Sequence, residues 1–276
     1  DTDRSRGLGD VYKRQDMKGQ VEFQDVTARY DGAGNPSLEH ISFTAQPGQT
    51  IGIIGGTGSG KTTLVNLIPR FYDVTDGKIT IDGKDIRNVS QHELREKLGY
   101  VPQKAVLFSG DIASNILYGN PDGSEAEMTE AATIAQATEF IEQKKKKYKS
   151  TISQGGSNVS GGQKQRLSIA RAIAKHPDIY IFDDSFSALD YKTDATLRAK
   201  LKEKTSESTV MIVAQRISTI LHADQIIVLD DGQIVGKGTH KELLKNCEAY
   251  YQIASSQLSE KELEEDLKEV ESYAKR

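Results

Sequence analysis

A single cysteine, Cys247, occurs in 276 residues. One thiol excludes an intrachain disulfide framework and a cysteine-rich zinc site. The five histidines (His40, His92, His176, His222 and His240) lack metal-ligand spacing. No apolar run approaches the roughly 18–20 residues that a bilayer span requires, and no internal repeat is visible. An excess of positive charge is also missing. The 36 Lys and Arg face 40 Asp and Glu, a formal net charge of −4, which argues against a basic coat for nucleic acid. What is present is 36% apolar and 28% charged residues, enough for a sizeable core in one large α/β domain. The chain as written reads as soluble and cytoplasmic.

The two ends differ from the middle. Residues 1–16 have no hydrophobic periodicity and no apolar stretch after the arginines, so they are not a signal peptide. Asp10-Val11-Tyr12-Lys13-Arg14-Gln15 resembles the translation of a sequencing-library adapter, and 1–16 is read as a non-native or disordered leader. A genuine flexible leader is the alternative. At the other end, residues 257–276 are read as an amphipathic helix or a solvated tail. Ser259 with Glu262 makes a capping-box pattern, and Leu263, Leu267 and Val270 follow at helical spacing.

The body, residues 17–256, alternates strand and helix patterns. Val21, Phe23 and Val26, then Ile41, Phe43 and Ala45, alternate with polar residues as half-buried antiparallel strands do. Ile51–Ile54, Ile179–Phe182, Val210–Ala214 and Ile226–Leu229 are continuously apolar, the signature of parallel strands buried on both faces. Asp82-Gly83 and Asp231-Gly232 are hairpin-turn dipeptides. The polar stretch from about 86 to 157 is read as a mostly helical insert. The fold class is therefore α/β, with a mostly parallel core sheet, an N-terminal antiparallel β layer and a helical insert.

The strongest chemical signal is Gly55-Gly56-Thr57-Gly58-Ser59-Gly60-Lys61-Thr62-Thr63. It fits Gly, four residues, Gly-Lys-Ser/Thr, between a buried strand and a helix. Glycines let successive amides converge on phosphate oxygens, and the helix start adds its positive dipole end. Lys61 would lie along the β- and γ-phosphates, and Thr62 would offer a hydroxyl to Mg²⁺. The pattern predicts a bound nucleoside triphosphate. Ile179–Phe182 ends in Asp183-Asp184, and beside a phosphate loop the first carboxylate belongs to the Mg²⁺ shell. A second anion-shaped feature, Val159-Ser160-Gly161-Gly162-Gln163, opens another helix. One chain does not need two such surfaces for one nucleotide, so this one is expected to cap a triphosphate held by another subunit. An ordinary helix cap is the plainer alternative.

Phosphate loop, Gln103, Val159–Gln163, the Asp183 strand and Ser187-Ala188-Leu189-Asp190 follow one another in this order. The series resembles the nucleotide-binding domain of an exporter-type ATP-binding cassette (ABC) transporter, a P-loop NTPase fold, over roughly 21–255. The resemblance implies ATP and Mg²⁺ as ligands, with Tyr30 stacking on adenine and Gln103 joining the Mg²⁺ shell beside Thr62 and Asp183. It implies that the loop from Val101 through Phe108 meets the transmembrane part, and that Ser187–Asp190 links the two sites of a dimer. It places the chain at the cytoplasmic face of a membrane, with transmembrane domains fused upstream.

Two residues depart from that pattern. Asp184 stands where the family usually has a glutamate that polarises the attacking water, and Gln215 stands where it commonly has a histidine. The aspartate is shorter by one methylene, and an amide carries no proton or positive charge near neutral pH. Gln154 also replaces a frequent glutamate. With the binding groups intact and the hydrolytic ones (Asp184, Gln215, Gln103) altered in two of three places, the chain reads as the degenerate-site half of a heterodimeric exporter. A soluble ABC-type ATPase and a nucleotide-gated regulatory module are the competing readings. Lys144–Lys147 is read as a solvated turn.

Overall fold

The structure is a computed structural model that describes residues 19–263 and Asp266. The leader 1–16, Leu267 and Val270 lie outside the described residues.

The first layer is a four-stranded antiparallel sheet. Strand β1 (Val21–Ala28) pairs on one side with β2 (Leu38–Ala45) and on the other with β4 (Asp76–Ile81), which hairpins into β5 (Lys84–Asp85). The alternation in 21–45 therefore locates only half of this layer. The other half comes from residues 76–85, beyond the phosphate loop.

The main sheet has six strands in the order β12-β11-β3-β10-β9-β6. These are β3 (Thr50–Gly55), β6 (Leu98–Val101), β9 (Ile179–Asp183), β10 (Thr209–Val213), β11 (Gln225–Asp230) and β12 (Gln233–Gly238). All neighbours run parallel except β12, which returns antiparallel from the Asp231-Gly232 turn. Both turn residues have positive φ, 44° and 76°, as a type I′ hairpin requires.

The sheet is covered on both faces, which is why its strands read as unbroken apolar runs. Along β9, Ile179 and Ile181 face the antiparallel layer together with Ile51, Ile53, Met211 and Leu64. Tyr180 and Phe182 face the opposite side with Ile212, Val228 and Leu167. Each large side chain so buried contributes roughly 1.5–3 kcal/mol.

The stretch 86–157, expected to be mostly helical, also holds a strand of the main sheet. Strand β6 follows α2 (Gln91–Glu96) and pairs with β9. Its four residues, Leu98-Gly99-Tyr100-Val101, are too short for a periodicity to show. Between the two strands of a short ladder, β7 (Gly110–Asp111) and β8 (Thr151–Ile152), the chain is helical: α3 (Ile112–Ile116), α4 (Glu125–Ile134) and α5 (Thr138–Glu142). Of these, α3 and α4 pack on α6 (Gly161–Ala174) through Ile116, Ala131, Ala132, Ile169 and Ile173, so the helical unit extends beyond Ser157. Further α-helices are α1 (Lys61–Leu67), α7 (Tyr191–Lys204), α8 (Ile217–Ile220), α9 (His240–Asn246) and α10 (Glu248–Gln257). Among the described residues no helix is long and apolar enough to cross a membrane.

Candidate nucleotide site

The phosphate loop leaves β3 at Gly55 and enters α1 at Lys61. Its path requires glycine at two points in particular. A Cβ on Gly55 would collide with the Leu229 carbonyl and lie 2.6 Å from Ser59 Oγ, and Gly60 has φ 98° with Leu38 and Ser37 too close for a side chain. Gly60 is also the cap of α1, and it has no side chain to accept the first-turn amides. Those amides, at the positive end of a helix, are suited to an anion.

Lys61 Nζ donates to the Gly55 and Gly56 carbonyls at 2.9 and 2.6 Å. Burial pulls its pKa below the usual lysine value, and the Asp184 and Asp183 charges oppose that shift. The ammonium is thus held over the loop within the field of two carboxylates. Thr62 Oγ1 donates to Asp183 Oδ1 at 3.0 Å, tying the start of α1 to the end of β9. Asp183 is buried and its pKa is raised, chiefly by desolvation, with the Thr62 hydrogen bond pulling the other way and the Asp184 charge adding to the rise.

A buried carboxylate beside a hydroxyl, next to a phosphate-binding loop, fits Mg²⁺. That ion takes one or two protein oxygens and completes its shell with phosphate and water. Among the described residues there is no cluster of three or more His, Cys, Asp or Glu that could hold a metal ion.

Asp184 adopts φ 47°, the left-handed region that Asp tolerates better than most residues. Its Oδ2 accepts from Gln103 Nε2 at 3.1 Å and from Gln215 Nε2 at 2.5 Å. The structure therefore brings the three expected hydrolytic residues together in one hydrogen-bonded group at the ends of β6, β9 and β10.

A solvent-open cavity of about 460 Å³ runs from the loop toward Tyr30, lined also by Ser37, Gly58, Thr63, Asp231 and Gly232. Tyr30 is half-buried, its hydroxyl 2.9 Å from Thr63 Oγ1 and its ring edge-on to Tyr72 at 4.8 Å. The ring is available to a flat partner at the cavity edge. Thr57 is exposed on the same loop.

The second anion-shaped segment is built differently. Ser160 caps α6: its Oγ accepts from the Gln163 amide at 3.2 Å, and Gln163 Oε1 accepts from the Ser160 amide at 3.1 Å. The hydroxyl proton stays free to donate outward, while Gly161 and Gly162 present bare backbone. A Cβ at Gly162 would come 3.4 Å from the Ala188 carbonyl, so this segment abuts the loop Ser187–Asp190. In that loop Ser187 Oγ donates to the Asp184 carbonyl at 2.9 Å, Leu189 is buried, and Asp190 caps α7 by accepting from the Thr193 amide at 3.0 Å. Val159 is partly buried against the helical core.

Sequence reasoning missed several supports. Tyr100 donates to Asn66 Oδ1 at 2.8 Å and reaches Asp183 Oδ2 at 3.5 Å, and its pKa is pushed up by burial. Gln165 Nε2 donates to the Pro102 carbonyl at 3.2 Å, joining α6 to the Gln103 loop. Arg171 is bonded to the Asn115 and Val106 carbonyls and stacks under Phe108 and Tyr118, with burial lowering its pKa to about 10. None of these lies in a recognisable motif. Only the fold brings them to the site.

The family model described as ABC transporter matches residues 38–187, more than half of the chain. The chain belongs to the ABC transporter family. As an ABC nucleotide-binding domain it is similar to an uncharacterized ABC transporter ATP-binding protein of Mycobacterium tuberculosis, 48% identical over 244 residues. These cover 87% of this chain and 42% of the relative. An ATP-dependent lipid A-core flippase of Xanthomonas oryzae pv. oryzae is 42% identical over 246 residues, covering 89% and 42%. Among solved structures, a bacterial Atm1-family ABC exporter with ATP bound superposes at TM-score 0.84 with 38% identity, over 88% of this chain and 42% of that one. The ABC chain described here thus spans about two fifths of the length of these relatives, which include exporters.

Proposed function

We propose that this ABC domain binds ATP with Mg²⁺ and powers an exporter by nucleotide-driven dimerisation, as the weakly hydrolysing half of a heterodimer. The observation that carries the reading is the Asp184 carboxylate held by two neutral amides, Gln103 and Gln215. In this reading the amides of 55–63 and Lys61 hold the triphosphate, and Tyr30 stacks on the adenine. Thr62, Asp183 and Gln103 would hold Mg²⁺, which draws charge from the phosphates. Asp184 stands one methylene short of the attacking water, and Gln215 offers the γ-phosphate a hydrogen bond without a charge. General-base placement is worth about 10²- to 10⁴-fold, so ATP is retained and cleaved slowly.

The Val159–Gln163 segment would cap the nucleotide of the second domain, where Ser160 and the glycine amides meet the γ-phosphate. The loop Ser187–Asp190 carries the state of one site to the other, since Ser187 is hydrogen-bonded to the Asp184 carbonyl and Ala188 lies against Gly162. The length of the relatives supports transmembrane domains fused upstream and a position on the cytoplasmic face of the membrane. The exposed side chains of Val106 and Phe108, next to Gln103, suit a docking surface for them.

The grip on the triphosphate is tested by Lys61→Ala with a fluorescent ATP analogue. Affinity should fall about 10- to 100-fold, the worth of a charge-assisted hydrogen bond. Undiminished affinity would remove the basis of the reading.

A further inference from the structure

The loop that carries Gln215 is held from a helix some 40 residues further along the chain. Helix α8 is only four residues long, and Arg216 at its start gives no side-chain cap. Its first amide, Ile217 N–H, instead donates to Gln257 Oε1 at 2.8 Å, and Gln257 Nε2 donates to the Gln215 carbonyl at 2.9 Å. One carboxamide therefore brackets the backbone on both sides of Arg216. Gln257 is the last residue of α10, a helix that is itself anchored. Tyr250 and Ala254 are fully buried, and the Tyr250 hydroxyl lies 2.7 Å from His240 Nδ1. The same helix borders the phosphate loop across a cleft of about 290 Å³ lined by Gly56, Leu229, Gln252 and Ile253.

We propose that Gln257 is a positioning residue for nucleotide sensing: it fixes the Gln215 backbone so that the Gln215 amide meets both Asp184 and the γ-phosphate of bound ATP. The proposal rests on the reading of Gln215 given above. Gln215 is exposed and long, so its amide has a defined place only if its backbone does. Displacements near 1 Å are enough to weaken such a contact severely. Of the uncharged side chains this long, glutamine alone offers a donor and an acceptor on one planar group, which the two contacts require.

The test is competition of MgATP and of MgADP against a fluorescent ATP analogue on the 276-residue chain. In Gln257→Met, of similar length but without either hydrogen bond, the preference for ATP over ADP should fall about three- to tenfold, the range set by the net worth of neutral hydrogen bonds. ADP affinity should not change, which shows that the fold and the phosphate loop are intact. Gln215→Ala should give a similar fall, and the double variant no further one. Hydrogen exchange should quicken at the Ile217 amide and not in β10. If Gln215→Ala lowers the preference and Gln257→Met does not, or if the two falls multiply, the positioning role is wrong and the Gln215 reading stands. Unaltered Ile217 protection overturns the role even where Gln257→Met also lowers ADP affinity. If the unmodified chain does not distinguish ATP from ADP, or Gln215→Ala changes nothing, the underlying reading falls and the role with it.

Discussion

Gln215 Nε2 donates to Asp184 Oδ2 at 2.5 Å. The two residues that depart from the exporter pattern are thus direct partners, and a second amide, Gln103, reaches the same oxygen at 3.1 Å. A carboxylate one methylene longer at position 184 would have to shift one of these amides.

Asp184→Glu and Gln215→His are therefore expected to be cooperative. Together they should raise ATP turnover about 10- to 100-fold, within the range of a well-placed general base, and by more than the product of the single effects. Asp184→Glu alone should also cost about 1 kcal/mol, because φ 47° suits Asp better than Glu. Phosphate release and thermal melting check both statements.

Asp183 is destabilising as a charged group. Its pKa is raised from 3.8, mainly by desolvation. Between 3.8 and the raised value the folded chain binds more protons than the unfolded chain. Stability therefore falls as pH rises through that window, and the penalty is complete above it. Asp183→Asn should raise the melting temperature of the chain without nucleotide near neutral pH, and should weaken the Mg²⁺-dependent part of ATP affinity. A lower melting temperature would contradict this.

Gly55 and Gly56 are adjacent and should respond very unequally to alanine. A Cβ on Gly55 meets the Leu229 carbonyl and Ser59 Oγ, whereas a Cβ on Gly56 finds nothing within 4 Å. Gly55→Ala is expected to cost more than about 3 kcal/mol, as overpacking against backbone does. Gly56→Ala should stay within about 1 kcal/mol of the parent. Urea denaturation of the two variants separates them.

Arg171 carries the surface beside Gln103. Its guanidinium donates to the Asn115 carbonyl at 2.9 Å, the Val106 carbonyl at 3.0 Å and Asn115 Oδ1 at 2.8 Å. Arg171→Met should cost about 2–4 kcal/mol, because it leaves part-buried acceptors unpaired. Arg171→Lys should not restore this, since a lysine cannot reproduce the planar fork. Denaturation midpoints check the magnitude.

Chemistry that depends on local chain geometry was legible in the sequence. The phosphate loop, the Asp183 strand and the cap at Ser160 announce themselves because each consists of consecutive residues. The antiparallel layer was half legible. Val21–Ala45 alternates clearly, but β4 begins with the three exposed residues Asp76-Gly77-Lys78, and its partnership with β1 joins residues 49 to 60 positions apart. Strand β6 escaped because four residues carry no periodicity. The Tyr100–Asp183 and Gln257–Gln215 contacts could not be read, since they join side chains 83 and 42 positions apart. The C-terminal capping box does form, with the Ser259 amide donating to Glu262 Oε2 at 2.8 Å and the Glu262 amide to Ser259 Oγ at 3.3 Å, and Asp266 reaches His240 Nε2 at 3.1 Å. That contact gives one of the unassigned histidines a structural partner.

The most direct test of the account is the rate at which the unmodified chain, saturated with MgATP, converts bound ATP to ADP. The Asp184–Gln215 geometry predicts retained ATP and turnover below about 0.1 per second, under the ordinary enzyme range. Turnover of about 1 per second or faster would contradict it.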